Sequence, residues 1–463
     1  MTDEPTIDHD AATVLEGRMP GTLLRPGDAG YDEARTVWNG MIDRRPALIA
    51  RCRGADDVVA AVDFARENDL TLSVRGGGHS VAGRAVCDDG LMIDLTPMSA
   101  VQVDAEARTA RVGRGATWGD FDEKAQEHGL ATTGGLVSST GVGGLTLGGG
   151  IGYLARAHGL AADNLIACDV VTADGRRVRA SEDENPDLFW GLRGGGGNFG
   201  IVTSFEFRLH EVGPGILTAQ AFHPADAARE VLEFYRDFTA DAPDEVMCYA
   251  LVAHVPPAPP FPEESHGDTT VALVAAYAGE AEEGRPVLEP VASYGDPILA
   301  FAEPMPYTAL QQAFDDGTPE GGRYYWKSHF LDALTDEVIE TLVRHVDPLP
   351  GAYSMVGFEH LQGAVGRVPA TDTAFPERDA AFSFGAWAGW IDSADDEEMI
   401  GWTRRLHDAM APHATGGVYT NYLDQDEDGR VEAAFGANYG RLVELKKKYD
   451  PDNLFRMNQN IRP

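Results

Sequence analysis

The chain has 463 residues, 43% of them hydrophobic, which is too long for one ordinary core and predicts two or three folded domains. Its 74 Asp and Glu face only 37 Lys and Arg, and the net charge of −37 argues against nucleic acid and anionic membranes as partners. Because salt screens such self-repulsion, the acid excess favours adaptation to molar salt, as in a halophile, with simple solubility as the alternative.

The cysteines and the N-terminus give expectations about location and metal binding. Cys52, Cys87, Cys168 and Cys248 are widely spaced without a CxxC pair, which argues against a zinc site or a dense disulfide framework. The first residues are acidic and lack an apolar segment, and no apolar run approaches membrane-spanning length. We therefore expect a cytoplasmic protein without a metal.

Apolar periodicity and turn signals predict the elements of the first half. Ser181 and Glu184 fit a capping box for one of its helices. In chain order the predicted elements are a helix over 31–38, a helix over 56–68, strands over 70–74 and 91–95, a hairpin over 101–112, a helix from Thr117 to Glu127, a hairpin over 165–179 that turns at Asp174-Gly175, a helix over 186–192 and a strand over 201–209.

Two glycine-rich segments carry the chemistry of this half. Arg75-Gly76-Gly77-Gly78-His79 directly follows the 70–74 strand, and the second segment extends from Gly141 to Gly152. Glycine lets the backbone approach a ligand closely, and successive N–H groups in such turns form nests that hold phosphate oxygens. Two nests indicate a ligand with two phosphates, hence a dinucleotide, and His79 places a nucleophilic nitrogen beside it.

A third glycine cluster matches the dinucleotide fingerprint GxGxxG only by its letters. Gly195, Gly197 and Gly200 have the right spacing, but a helix precedes them and a strand follows. A Rossmann site needs the order strand, turn, helix. The sequence therefore argues against a Rossmann site here.

The second half changes character after Gly213-Pro214-Gly215. Longer strands alternate with amphipathic helices, among them a helix over 224–239, a strand over 382–390 and a helix over 395–410. This pattern predicts an antiparallel sheet backed by helices.

The stretch from about Pro46 to Val212 resembles the FAD-binding domain of vanillyl-alcohol-oxidase-type flavoproteins. The run from Tyr449 to Ile461 is similar to the C-terminus of berberine-bridge-enzyme-like oxidases. The resemblance implies an α+β fold, with a two-part FAD-binding domain and a substrate domain whose antiparallel sheet is backed by helices. The implied division is 1–40 as an N-terminal arm, 41–213 as the FAD-binding domain, 214–415 as the substrate-binding domain and 416–463 as a segment that returns to the FAD-binding domain.

The resemblance also implies how FAD is held. His79 matches the family histidine that carries the flavin covalently through its 8α-methyl group. Val137 stands where many members have a second, cysteinyl link, so attachment through His79 only is expected; Leu145 replaces a frequent histidine and removes one polar contact. Further FAD contacts are expected from Arg75, Gly76, Gly77, Gly78, Ser80, Gly83, Gly134, Thr140, Gly141, Gly143, Gly144, Gly148, Gly149, Gly152, Asp163, Gly200, Ile201, Val202, Asn458 and Asn460.

Tyr419-Thr420-Asn421-Tyr422 resembles the family's Tyr-x-Asn-Tyr motif, which implies a strand that points at the flavin. Strand periodicity would put Tyr419 and Asn421 on one face and Tyr422 on the other. Some members carry a carboxylate on the preceding strand, whereas the stretch 382–387 has no acid. This favours Tyr419 as the catalytic base, with Tyr422 as the alternative, and two packed sheet tyrosines without a catalytic role stay open.

The resemblance implies an FAD-dependent enzyme that oxidises a C–H bond next to a hydroxyl by hydride transfer to flavin. Thr140 occupies the position that gates oxygen, which favours an oxidase that makes hydrogen peroxide; a dehydrogenase with another acceptor and an idle flavin-binding protein remain the alternatives. A small polyhydroxylated substrate such as a sugar is expected. Aromatic residues that could stack on it, or form core instead, are Tyr324, Tyr325, Trp326, Trp387 and Trp390.

One acidic stretch imitates a calcium site. Asp424, Asp426 and Asp428 start like an EF-hand loop, but Phe435 replaces the closing Glu. We expect a solvated loop.

Overall fold

The first part of the chain builds two sheets in the computed structural model, which describes residues 9–463. A four-stranded sheet has the order β1-β2-β4-β3, and a five-stranded antiparallel sheet has the order β5-β6-β10-β8-β9. The strands are β1 (Thr22–Leu24), β2 (Leu48–Arg51), β3 (Leu72–Arg75), β4 (Leu91–Asp94), β5 (Val101–Asp104), β6 (Thr109–Gly113), β7 (Leu130–Ala131), β8 (Leu165–Val171), β9 (Arg177–Ser181), β10 (Ile201–Arg208) and β11 (His210–Glu211). Strands β7 and β11 form a separate pair.

Helices connect and cover these sheets. They are α1 (His9–Arg18), α2 (Tyr31–Arg35), α3 (Ala55–Glu67), α4 (Trp118–Gln126), α5 (Val142–Leu147), α6 (Ala155–His158) and α7 (Pro186–Leu192). Helix α3 buries Val58 and Val62, as its periodicity predicts. Thr117 caps α4 in a capping box with Asp120. The capping box predicted for α7 is wrong: its N-cap is Asn185, while Ser181 Oγ accepts the Asp183 and Glu184 N–H groups within the preceding turn.

The N-terminal residues belong to the first sheet. β1 pairs with β2, and α1 packs on α3. The expected arm is thus wrong for residues 9–40, because the apolar side chains of Leu15 and Leu23 are buried in the core of that sheet; residues 1–8 lie outside the described residues. The proposed division into domains is otherwise a prediction.

The second part is one seven-stranded antiparallel sheet in the order β15-β12-β14-β13-β17-β18-β16. The strands are β12 (Gly215–Pro224), β13 (Val246–His254), β14 (Thr269–Tyr277), β15 (Leu299–Pro306), β16 (Arg323–Leu331), β17 (Met355–His360) and β18 (Phe382–Trp390). The helices that follow α7 are α8 (Ala228–Asp241), α9 (Ala281–Ser293), α10 (Tyr307–Leu310), α11 (Asp336–His345), α12 (Ala364–Arg367), α13 (Asp396–Met410), α14 (Val431–Phe435) and α15 (Tyr439–Tyr449).

Strand periodicity gives this sheet two different faces. On β13, Cys248 and Ala250 share a core with residues of the helices α8, α11 and α13, whereas Tyr249 and Leu251 belong to a core on the opposite face. The predicted α+β architecture, with an antiparallel sheet backed by helices, is confirmed. The face that carries Tyr249 and Leu251 packs against residues of the short helices α6, α10 and α12, and it shares a cavity with the glycine-rich segments.

The C-terminal segment packs on the start of β10. Lys446 on α15 is fully buried, and its Nζ donates to the Asn198 carbonyl at 2.9 Å and pairs with Asp450 at 2.6 Å. The Ile461 N–H donates to Asn198 Oδ1 at 3.0 Å. The C-terminal segment is thereby fixed beside the third glycine cluster, which contains Gly195, Gly197 and Gly200.

Three negative findings apply to the residues 9–463. No helix among them is both long and apolar enough to cross a membrane. No group of three or more His, Cys, Asp or Glu side chains is arranged to hold a metal. The four cysteines are buried and free.

We predict that molar salt stabilises this fold, because the 37-charge excess of acid repels itself. The screening length shrinks from about 10 Å at ~0.1 M to less than 3 Å at ~2 M. The melting temperature should rise by several degrees over that range in potassium chloride, measured by differential scanning fluorimetry. Chloride is chosen because sulfate strengthens apolar burial whatever the charge. A flat melting temperature would show that the acid excess is no adaptation to salt.

Candidate active site

A cavity lies between the two glycine-rich segments, the face of the seven-stranded sheet that carries Tyr249 and Leu251, and the C-terminal segment. Both glycine-rich segments line it, with Gly76 to Ser80 from the first and Gly141, Gly144 and Gly148 from the second. The two segments touch backbone to backbone. A Cβ on Gly77 would lie 2.5 Å from Gly141 N, and a Cβ on Gly141 would lie 2.4 Å from Gly77 N. Glycine is thus required at both positions.

His79 stands at the wall of this cavity. Its ring stacks on Trp38 with centroids 4.3 Å apart, and its Nε2 lies 3.0 Å from Ser139 Oγ. Burial lowers the pKa of His79 to about 3, so the imidazole is neutral at physiological pH. A neutral, oriented imidazole has a free lone pair and can act as a nucleophile.

The cavity gathers many of the residues predicted as FAD contacts. Those that line it are Gly76, Gly77, Gly78, His79, Ser80, Thr140, Gly141, Gly144, Gly148, Gly200, Ile201 and Asn458, together with both motif tyrosines, Tyr419 and Tyr422. Val137, at the position of the absent cysteine, and Leu145 also line it.

Other predicted contacts lie outside the cavity lining for packing reasons. Asp163 is held by Arg378 at 2.7 Å, the Arg75 guanidinium donates to the Ala34 carbonyl, and Val202 is in the core. A Cβ on Gly134 would strike the Trp118 ring, which shows that this glycine serves packing. The predicted contacts that do not line the cavity are Arg75, Gly83, Gly134, Gly143, Gly149, Gly152, Asp163, Val202 and Asn460.

The tyrosine motif is not on a strand, and that expectation is wrong. Residues Thr420–Tyr422 form one 3₁₀ turn, so Tyr419 and Tyr422 lie on the same side, with perpendicular rings whose centroids are 4.8 Å apart. A 3₁₀ turn has three residues per turn, so the side chains of residues i and i+3 lie on the same side. The Tyr419 oxygen accepts the Gly150 N–H at 2.9 Å and the Asn421 Nδ2–H at 2.8 Å.

Tyr422 has a different partner, a carboxylate that the sequence analysis missed. Its hydroxyl donates to Glu359 Oε1 at 3.1 Å. Glu359 is only 1% exposed, and burial raises its pKa to about 7 although the Ser383 and Tyr422 hydroxyls lower it. Burial and Glu359 together raise the pKa of Tyr422 well above its usual value. The carboxylate and the hydroxyl therefore share one hydrogen bond, and each influences the pKa of the other.

The position of a carboxylate was expected within 382–387, on β18, but Glu359 is not on that strand. It lies on the neighbouring β17, where its register partner on β18 is Ser383. The signal was an acid inside the strand-like run Met355-Val356-Gly357-Phe358-Glu359-His360, which shares the strand face of Met355. Both Met355 and Glu359 line the cavity.

The rest of the sheet face gives the cavity an apolar and aromatic wall. Trp326, Trp387, Tyr249, Leu251 and Phe314 line it. The proposed stacking set divides accordingly: Trp326 and Trp387 reach the cavity, whereas Tyr325 and Trp390 face the helices in the core and Tyr324 stacks on Trp38 at 3.8 Å.

The acidic stretch after the tyrosines is not a solvated loop. Asp424 is buried and accepts the Trp326 N–H at 3.3 Å. Asp426 pairs with Lys327 and with Arg404. These ion pairs fix β16 against the segment that follows Tyr422.

Known proteins match the chain along nearly its whole length. Residues 46–181 match the profile of an FAD binding domain, and residues 418–462 match the profile described as berberine and berberine like. An FAD-linked oxidoreductase of Dictyostelium discoideum is 33% identical over 452 residues, which cover 96% of this chain and 95% of that protein. (R)-6-hydroxynicotine oxidase of Paenarthrobacter nicotinovorans is 31% identical over 467 residues, which cover 96% and 97%.

A solved structure agrees with this relationship. Glucooligosaccharide oxidase from Acremonium strictum, a protein with a 6-S-cysteinyl, 8α-N1-histidyl FAD, superposes with a TM-score of 0.86 at 25% identity, over 98% of this chain and 99% of its own. The glycine cradle, the neutral histidine and the two matched profiles all point to the same cofactor. The chain therefore belongs to the berberine-bridge-enzyme-like family of FAD-linked oxidoreductases.

Proposed function

We propose that this enzyme oxidises a C–H bond next to a hydroxyl of a small molecule, with Glu359 and Tyr422 together accepting the hydroxyl proton. The observation that carries the proposal is the 3.1 Å contact between Tyr422 Oη and Glu359 Oε1, in the cavity that the glycine-rich segments line. A buried carboxylate whose pKa is near neutrality is suited to act as a base at physiological pH.

The residues of the cavity fit FAD. The mutual contact of Gly77 and Gly141 leaves a cradle that a single Cβ at either position would disrupt, and Asn458 Oδ1 is buried there without a partner. When bound, FAD supplies the hydride acceptor. His79, Ser80 and Thr140 would hold its flavin half, and Gly200 and Ile201 its adenine half.

Attachment through His79 alone follows from the neighbours of the flavin site. His79 is a neutral nucleophile, while Val137 offers no thiol at the position of the second link. We therefore propose a histidyl FAD without the cysteinyl bond that the Acremonium enzyme carries.

The contacts favour Tyr422 over Tyr419 for the proton transfer, which reverses the preference drawn from the sequence. Tyr419 is 2% exposed, and its oxygen already accepts two hydrogen bonds, from Gly150 and Asn421. Tyr422 is partly open to the cavity. Because its pKa is raised, it acts as a relay: it accepts the substrate proton as it gives its own to Glu359.

Oxygen is the proposed electron acceptor, with hydrogen peroxide as the product. Thr140 lines the cavity, and two of the three named relatives, the hydroxynicotine and glucooligosaccharide enzymes, are oxidases. The substrate is proposed to be small and hydroxylated, with a ring that stacks against Trp326 or Trp387. A dehydrogenase that uses another acceptor is the second candidate, and a catalytically idle flavin protein the third.

An unbiased substrate screen tests this function. Sugars, other alcohols and hydroxylated ring amines are offered under air with a peroxide readout, and then under nitrogen with bleaching of the flavin absorption as the readout. Peroxide together with bleaching identifies an oxidase. Bleaching with dye reduction but slow oxygen use identifies a dehydrogenase. If no compound bleaches the flavin, the proposed chemistry is wrong.

A further inference from the structure

Arg114 is a charged residue in the cavity that neither the sequence analysis nor the mechanism above uses. It directly follows β6, and its N–H donates to the Thr203 carbonyl at 3.2 Å. The side chain is only 7% exposed and lines the cavity. Its stem lies against the second glycine-rich segment, since a Cβ on Gly143 would come within 2.6 Å of Arg114 Cγ. A Cβ on Gly76, in the first segment, would lie 3.0 Å from the Arg114 carbonyl.

The Arg114 guanidinium has no anionic partner among the described residues. Its Nε and Nη1 are buried without a hydrogen bond, although the chain has twice as many acids as bases. Two other buried arginines have partners for their guanidinium groups: Arg378 pairs with Asp163 at 2.7 Å, and Arg156 donates to the Val246 carbonyl at 2.7 Å. Burial even lowers the pKa of Arg114 to about 10, so its charge is poorly compensated by the protein.

A buried cation without a partner is costly, and the cost is removed when an anion reaches it. The diphosphate is the anionic part of FAD. A guanidinium matches phosphate oxygens with two parallel N–H donors, and the backbone N–H groups of both glycine-rich segments lie beside it. We propose that the Arg114 guanidinium binds the diphosphate of FAD. This inference rests on FAD as the cofactor and is independent of the substrate and of the Glu359–Tyr422 pair.

The proposal also explains how a strongly acidic chain binds an anionic cofactor. A net charge of −37 repels a dianionic cofactor, and the repulsion is strongest at low ionic strength. One desolvated cation inside the cavity attracts the diphosphate at short range, where salt screens it little.

The test uses the His79→Ala background, freed of flavin, so that binding is reversible. FAD and riboflavin are titrated by flavin fluorescence. Arg114→Met keeps the length of the stem and removes the charge. This variant should weaken the affinity for FAD about 10- to 100-fold, the usual effect of losing a charge-assisted hydrogen bond. The affinity for riboflavin, which has no diphosphate, should stay unchanged. The matched control is Arg111→Met on β6, whose partner is Asp169 outside the cavity lining; it should change neither affinity.

A second measurement separates ligand binding from folding. Without ligand, Arg114→Met should melt no lower than its parent, because it removes an unpaired buried charge. ADP should stabilise the parent more than adenosine does, and Arg114→Met should lose that difference. An unchanged FAD affinity overturns the proposal. A lower melting temperature together with an equal loss of affinity for FAD and for riboflavin overturns the proposal as well. That result would assign Arg114 a structural role.

Discussion

Glu359→Gln and Tyr422→Phe should each slow anaerobic flavin reduction by roughly 10²- to 10⁴-fold, the usual contribution of a positioned proton acceptor. Gln keeps the shape of the buried side chain but cannot take a proton, and Phe keeps the ring without the hydroxyl that donates to Glu359 at 3.1 Å. The measurement is stopped-flow bleaching of the flavin band with the substrate found by the screen. Flavin content and melting temperature are recorded for each variant.

The matched control is Tyr419→Phe, which removes the other motif hydroxyl. Its oxygen is held by Gly150 and Asn421, so we expect a much smaller effect on reduction. The opposite result, a slow Tyr419→Phe beside a fast Tyr422→Phe, would restore the preference that the sequence alone gives. Near-wild-type rates in all three variants would exclude this group of residues as the base.

The same pair should give the reaction a pH dependence with a definite sign. The pKa of Glu359 is raised to about 7, and only its deprotonated form accepts a proton. The reduction rate should therefore be low in acid and rise as the pH passes through about 7. Glu359→Gln should remove that rise, whereas a rise that persists in this variant would assign it to another group.

His79→Ala should release the flavin completely. In the wild-type protein the yellow colour should stay with the polypeptide after acid precipitation, because His79 is the proposed nucleophile for attachment and Val137 offers no second link. In His79→Ala the colour should move to the supernatant. The readout is the flavin absorbance of pellet and supernatant.

Ser139→Ala is the control for this experiment. Ser139 Oγ lies 3.0 Å from His79 Nε2 and orients the imidazole ring. The Ser139 hydroxyl does not replace His79 as the group that bonds to the flavin. We expect this variant to keep the linkage, although attachment is slower. A wild-type protein that loses all its colour to the supernatant contradicts covalent attachment.

What the sequence could predict was local. The strand before Arg75, the helix start at Thr117 and the hairpin turn at Asp174-Gly175 depend on neighbours in the chain, and all three are present. The glycine-rich segments could be found from the sequence because, where two backbones touch, there is room only for glycine.

What the sequence could not predict depends on register and on distant packing. Glu359 meets Tyr422 across 63 positions of the chain, through a sheet whose strand order places β17 beside β18. The 3₁₀ turn at Thr420–Tyr422 changes which side chains share a side, and no period-2 pattern reveals it. The sequence around Arg114 does not distinguish it from a surface arginine, because its burial without a partner depends on the folded structure.

The contacts of the C-terminal segment at Asn198 have a consequence for the stability of the cavity. Ile461 and Lys446 hold that residue, and the Gln459 side chain donates to the Thr420 carbonyl at 2.8 Å next to the motif tyrosines. One segment, 446–461, thus holds both the third glycine cluster and the turn of the motif tyrosines, although the two lie in different parts of the chain. A substitution of Asn198 should therefore loosen the tyrosine turn as well as the glycine cluster, and so weaken two walls of the cavity at once.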